Sequence, residues 1–180
     1  MNLKTTIYSW LVILTIMLGF LFYKLERLET SIEKTGFITT NQDVPSIQMY
    51  NCLEKYSEEY DIPKHIFYNI AYLETTYQGP FDWNYNHKRT SSVGAVGPMQ
   101  LMSIVSLDVY DKKISQSKMK DDIELNIKTS AKFLSKLYDR FGDWGKVCGY
   151  YNTGKPIIND YARYAVNNRD YKSKWIKIEL

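Results

Sequence analysis

Glu74 stands where the sequence calls for an apolar side chain. Ile66-Phe67 and Ile70-Ala71 recur at intervals of three and four, which marks one face of a helix, and position 74 continues that face. A carboxyl on a buried stripe loses solvation in its charged form, so its pKa rises. A glutamate raised towards neutrality can serve as a general acid. At a helix end and paired with a lysine or arginine, the same residue would be purely structural. Asp82, in Gly79-Pro-Phe-Asp-Trp-Asn-Tyr85, is the only acidic residue between Glu74 and Gln100, and it offers a second carboxylate to position a water. Metal chemistry has little to build on: Cys52, His65, His87 and Cys148 match no zinc spacing. No metal or other cofactor is expected. Tyr151, taken alone, reads as a core tyrosine whose hydroxyl is satisfied by backbone. Gly94 and Gly97 read as tight-turn residues with positive φ.

The elements that must position Glu74 are helical. Apolar spacing at Ile47, Tyr50, Leu53 and Tyr56 predicts a helix from Ser46 to Tyr60. Asp61-Ile62-Pro63 marks the start of the helix that carries Glu74. Asp121 or Asp122 can cap a long helix with Leu125, Ala131, Leu134, Leu137, Tyr138 and Phe141 on its stripe and Gly142 as its stop. Shorter helices are expected over 144–151 and 157–166. Strand-like alternation is nearly absent. Residues 78–97, rich in Gly, Asn, Asp and Ser, are expected to be irregular and to line a surface groove.

Four segments in order then bear on function: Glu74-Thr-Thr-Tyr77, Ser91-Ser-Val-Gly-Ala-Val-Gly-Pro-Met-Gln-Leu-Met102, Glu124-Leu-Asn-Ile-Lys-Thr-Ser-Ala-Lys-Phe-Leu134, and Gly149-Tyr-Tyr-Asn-Thr-Gly154. In order and spacing they resemble the soluble lytic transglycosylase family, related in fold to goose-type lysozyme. The resemblance covers about residues 47–170. It implies a mainly α, lysozyme-like domain that cleaves the glycan strands of peptidoglycan between N-acetylmuramic acid and N-acetylglucosamine. Glu74 matches the single catalytic acid and base. Tyr151 matches the tyrosine whose hydroxyl reaches that carboxyl. Thr75, Tyr77, Ser91, Gly97, Met99, Gln100, Tyr150 and Asn152 are expected to bind substrate; Asn126 and Ile127 match a mainly structural motif. Thr75 stands for serine, Pro98 for leucine, Ser130 for glycine and Tyr150 for alanine, and none of these departures removes a reacting group. A hydrolysing lysozyme using Glu74 with Asp82, or an inactive tethered glycan-binding protein, are the alternatives.

The sequence holds 180 residues, with 23 basic and 20 acidic side chains and 15% aromatics. Its charge of +3 and the lack of any basic run beyond two residues argue against nucleic acid as a partner. Residues 5–23 carry no charge, between Lys4 and Lys24. At 1.5 Å per residue they would span roughly 28 Å, close to a bilayer's hydrocarbon thickness. The expected organisation is therefore a transmembrane anchor over 1–24, a juxtamembrane helix and linker over 25–46, and a catalytic domain over 47–180. Charge does not fix the orientation, since Lys24, Arg27 and Lys34 follow the apolar run. A wall-cutting activity requires the N-terminus inside and the domain facing the periplasm or cell wall, in a bacterium or on a virion membrane, alone or within a larger envelope-spanning or virion assembly. Phe22-Tyr23-Lys24 offers no small-residue cleavage site. The mature protein should therefore keep its N-terminal residues and fractionate with membranes. An N-terminal sequence starting beyond residue 23 would reject the anchor.

Overall fold

The computed structural model describes residues 14–24 and 44–177. The chain divides into two units, Met1–Thr39 and Thr40–Leu180. In the first, residues 14–24 are helical. Among the described residues no helix is long and apolar enough to cross a membrane. The expected anchor lies partly outside the described residues, and the juxtamembrane helix and nearly all of the linker lie wholly outside them.

The second unit is helical and, among the described residues, contains no strand beyond the isolated bridges Thr90–Val96 and Val96–Leu101. Helix α1 spans Pro45–Glu59, with proline in its first turn where a missing N–H costs nothing. Its buried face carries Ile47, Met49, Tyr50, Leu53 and Tyr56, as the spacing predicts. Helix α2 spans Lys64–Thr75 and stops at Thr76, which takes a left-handed conformation with φ 57°. Two short helices follow, α3 over Ser103–Tyr110 and α4 over Gln116–Asp121. The long α5, Ile123–Phe141, is capped by Asp122, which accepts the Leu125 N–H, and it ends at Gly142 with φ 62°. Helix α6 spans Trp144–Thr153 and α7 spans Asp160–Asn167, capped by Asp143 and Asn159. The last helix thus starts three residues later than expected, where Asn159 can accept the Ala162 N–H. A 3₁₀ turn, Tyr171–Lys174, closes the unit.

Helix α5 is the hub, packing against α1, α3, α4 and α6. Its buried face is partly polar: Asn126, Thr129 and Ser130 lie among Ile127, Ala131, Leu134 and Leu137. Tyr138, expected on that stripe, is exposed.

Helix α7 packs on α2 and α6. It is held to α2 by a polar seam. Asn69 Nδ2 donates to the carbonyls of Ala165 (3.0 Å) and Asn168 (2.7 Å). His65 Nε2 meets the Val166 carbonyl at 3.2 Å, and Arg169 Nη1 meets His65 Nδ1 at 3.3 Å. That pattern suits a neutral imidazole donating from Nε2. Burial, and then Arg169, hold the His65 pKa below its usual value.

Both cysteines are free. Burial pushes each thiol up to about 12, so both remain protonated and weakly nucleophilic at neutral pH.

Gly149 lets α6 and the segment before α7 touch. A Cβ there would lie 1.7 Å from the Ile157 carbonyl oxygen, a backbone atom that cannot rotate away. Gly149→Ala should lower unfolding free energy by about 2 kcal/mol or more, in the range of severe overpacking. Urea unfolding checks this, and an unchanged midpoint would show that the two segments separate freely.

Candidate active site

Glu74 sits on the last turn of α2, half-buried. Burial raises its pKa from the ordinary 4.5 to about 7. One interaction opposes that rise: Tyr161 Oη, from α7, donates to Glu74 Oε1 at 2.6 Å. Burial and the nearby Glu74 charge hold the Tyr161 phenol well above its usual pKa, so it remains a donor. The result is a carboxyl that titrates near neutral pH with a fixed donor on one oxygen.

Tyr151, expected to reach this carboxyl, does not bond to it. Its hydroxyl donates to the Met99 carbonyl at 2.6 Å and lies 3.1 Å from Ser130 Oγ. The Glu74 charge still contributes to the raised Tyr151 pKa, after burial, so the two groups share one neighbourhood. The contact to Glu74 comes instead from Tyr161, which sequence reasoning missed. Tyr161 and Tyr164 both lie on the short last helix, and nothing in the sequence separates the one that turns towards Glu74.

The loop 96–100 is clamped from three helices. Thr75 Oγ1 on α2 donates to the Pro98 carbonyl at 2.9 Å and shares a 2.8 Å hydrogen bond with the Tyr85 hydroxyl. Asn126 on α5 accepts the Met99 N–H at 3.0 Å, while its Nδ2 donates to Val96 O (3.0 Å) and Met119 O (2.9 Å). Tyr151 on α6 supplies the third clamp. Gly97 has φ 78°, and a Cβ on it would lie 2.4 Å from Asn126 Nδ2. Only glycine fits both the conformation and the contact. Gln100, itself left-handed at φ 46°, donates from Nε2 to Gly97 O (2.9 Å) and Arg89 O (3.2 Å).

The residues expected to bind substrate take the following places. Thr75, Tyr77 and Met99 are 1%, 2% and 0% exposed, so their side chains lie within the core. Tyr77 instead donates to the Ser46 carbonyl at 2.9 Å. Gly97 is buried as well and serves the turn. Ser91 is half-buried, its Oγ accepting the Ala95 N–H at 2.9 Å. Tyr150 is half-buried against Phe133 and Phe141, and exposed Asn152 accepts from Asn159 Nδ2 at 2.9 Å. Asp82 stands apart electrostatically: its charge acts on Tyr77 and Tyr85, whereas only burial and Tyr161 move Glu74. Among the described residues, no group of three or more His, Cys, Asp or Glu could hold a metal ion.

A helical domain with one neutral-range carboxyl at a helix end, beside a glycine-bearing loop clamped by helices, defines the class. The profile described as Transglycosylase SLT domain matches residues 51–174. The chain belongs to this family, whose members are lytic transglycosylases acting on peptidoglycan. A search of curated proteins finds no match.

The state of Glu74 gives two expectations. A raised folded pKa means that the site's contribution to stability is full below about 4.5 and is lost as pH rises through about 7. Glu74→Gln should therefore abolish digestion of sacculi and gain melting temperature over wild type between pH 5 and pH 8. A gap that narrows with rising pH would contradict the buried acid. Tyr161→Phe removes the donor that favours the carboxylate, so the alkaline limb of kcat/KM should move upward from about 7 while turnover falls. An unmoved limb would detach Tyr161 from Glu74.

Proposed function

We propose that this protein is a membrane-anchored peptidoglycan lytic transglycosylase that cuts the β-1,4 bond following N-acetylmuramic acid and leaves a 1,6-anhydro sugar. The observation that carries this reading is the half-buried Glu74 carboxyl, raised to about 7 by burial. Protonated Glu74 gives its proton to the leaving glycosidic oxygen as the bond to the muramic C1 breaks. The carboxylate so formed takes the proton of the muramic C6 hydroxyl, whose oxygen closes onto C1. Atoms balance without water, and Glu74 ends protonated for the next cycle. The nucleophile is part of the same sugar, and its high effective concentration replaces a second protein carboxylate.

Tyr161 fits that cycle. Its hydrogen bond to Oε1 strengthens when Glu74 becomes charged midway, and it leaves Oε2 for both proton transfers. Tyr151, Thr75 and Asn126 hold the loop that faces this centre. Hydrolysis is the second reading: glycosidases that use water place two carboxyls about 5 to 9.5 Å apart. The intramolecular route needs no second carboxylate, and burial is what raises Glu74.

The anchor reading over residues 5–23, with the N-terminus inside and the domain on the wall side, would confine cutting to glycan near the tether. Local opening of the wall, alone or within a secretion, conjugation or virion assembly, is the role such a tether suits. Mass spectrometry of digested sacculi tests the chemistry. Anhydromuropeptides are expected, and products with reducing ends would establish hydrolysis instead.

A further inference from the structure

Arg89 lies in the irregular stretch that leads into the clamped loop. Its backbone is fixed at its own carbonyl oxygen, which accepts from Gly97 N–H (3.0 Å) and Gln100 Nε2 (3.2 Å). Its side chain is exposed and reaches the end of α2, where Nη2 meets Thr76 Oγ1 at 3.3 Å, two residues beyond Glu74. The other described arginines are engaged by closer partners. Arg163 pairs with Asp160 at 2.7 Å, Arg140 lies over the rings of Phe141 and Tyr150, and Arg169 meets His65. The adjacent Lys88 is drawn to Asp121 at 3.4 Å. Among the described residues Arg89 pairs with no carboxylate; its charge reaches the Tyr85 phenol, and one weak bond to a hydroxyl uses little of its five-donor fork.

A planar guanidinium held at the edge of a site suits a carboxylate, which it binds through two parallel hydrogen bonds. The substrate of the reading above carries such groups. Each muramic sugar bears a peptide on its lactyl ether, and acidic residues of that peptide hold free carboxylates. Bringing the muramic C1 to Glu74 brings the root of the peptide to the same helix end.

We infer that Arg89 is the receptor for a carboxylate of the stem peptide on the muramic sugar being cleaved, so that the enzyme favours peptide-bearing glycan over bare strands. This rests on the transglycosylase reading. The test uses the full chain and two substrates: intact sacculi, and the same sacculi stripped of peptide by an amidase. Arg89→Gln should lower kcat/KM on intact sacculi by about tenfold, the scale of one charge-assisted bond, and by less than about twofold on bare strands. Arg89→Glu should deepen the first loss and still spare the second. The wild-type preference for intact sacculi should shrink at high salt. Equal losses on both substrates, or none on either, would overturn the receptor. Wild-type protein inert on both would overturn the underlying reading, and the receptor with it.

Discussion

The site depends on how a turn of backbone is kept dry and fully hydrogen-bonded. Residues 96–99 run through the interior with N–H and C=O groups that water cannot reach, and each unpaired group would cost about 1–3 kcal/mol. Side chains from three helices meet that demand: Thr75 at Pro98, Asn126 at Val96 and Met99, and Tyr151 at Met99. Thr75 directly follows Glu74, so the clamp that fixes the loop also fixes the end of the helix bearing the acid. Gly97 belongs to the same device, because the close approach of Asn126 leaves no room for a side chain.

That device explains which features the sequence revealed. Apolar spacing exposed the faces of α1, α2 and much of α5, since burial of Ile, Leu and Phe leaves a periodic trace. The irregular stretch 78–97 was legible too, because its Gly, Asn and Asp residues favour turns. Glu74 stood out as a polar residue on an apolar stripe. The buried clamps did not: Asn126, Thr129 and Ser130 read as polar surface, yet they lie in the core because backbone acceptors wait for them. Thr75, Tyr77 and Met99 lie within the same motifs, and their burial leaves no trace in the spacing. The bland reading of Tyr151, a core tyrosine satisfied by backbone, describes its hydroxyl better than the family role does. Tyr161 was hidden because its contact spans 87 positions along the chain and leaves no local pattern.

Glu74 and Tyr161 show how one carboxyl can serve as both acid and base. Burial alone would hold Glu74 protonated, a good donor and a poor acceptor. The Tyr161 hydroxyl moderates that bias, and the pKa settles near neutrality, where either state is accessible.

Helix α7 carries the Tyr161 hydroxyl, and a polar seam from Asn69 and His65 seats it on α2. The bond to Glu74 therefore belongs to two equilibria, proton loss at the acid and seating of the last helix. Linkage makes them reciprocal: whatever seats α7 more firmly eases ionisation of Glu74, and ionisation in turn tightens the seat. In the proposed cycle the helix is gripped hardest while the carboxylate exists and relaxes when the proton returns. The proton cycle of the acid is thereby written into the docking strength of a helix 87 residues away in sequence.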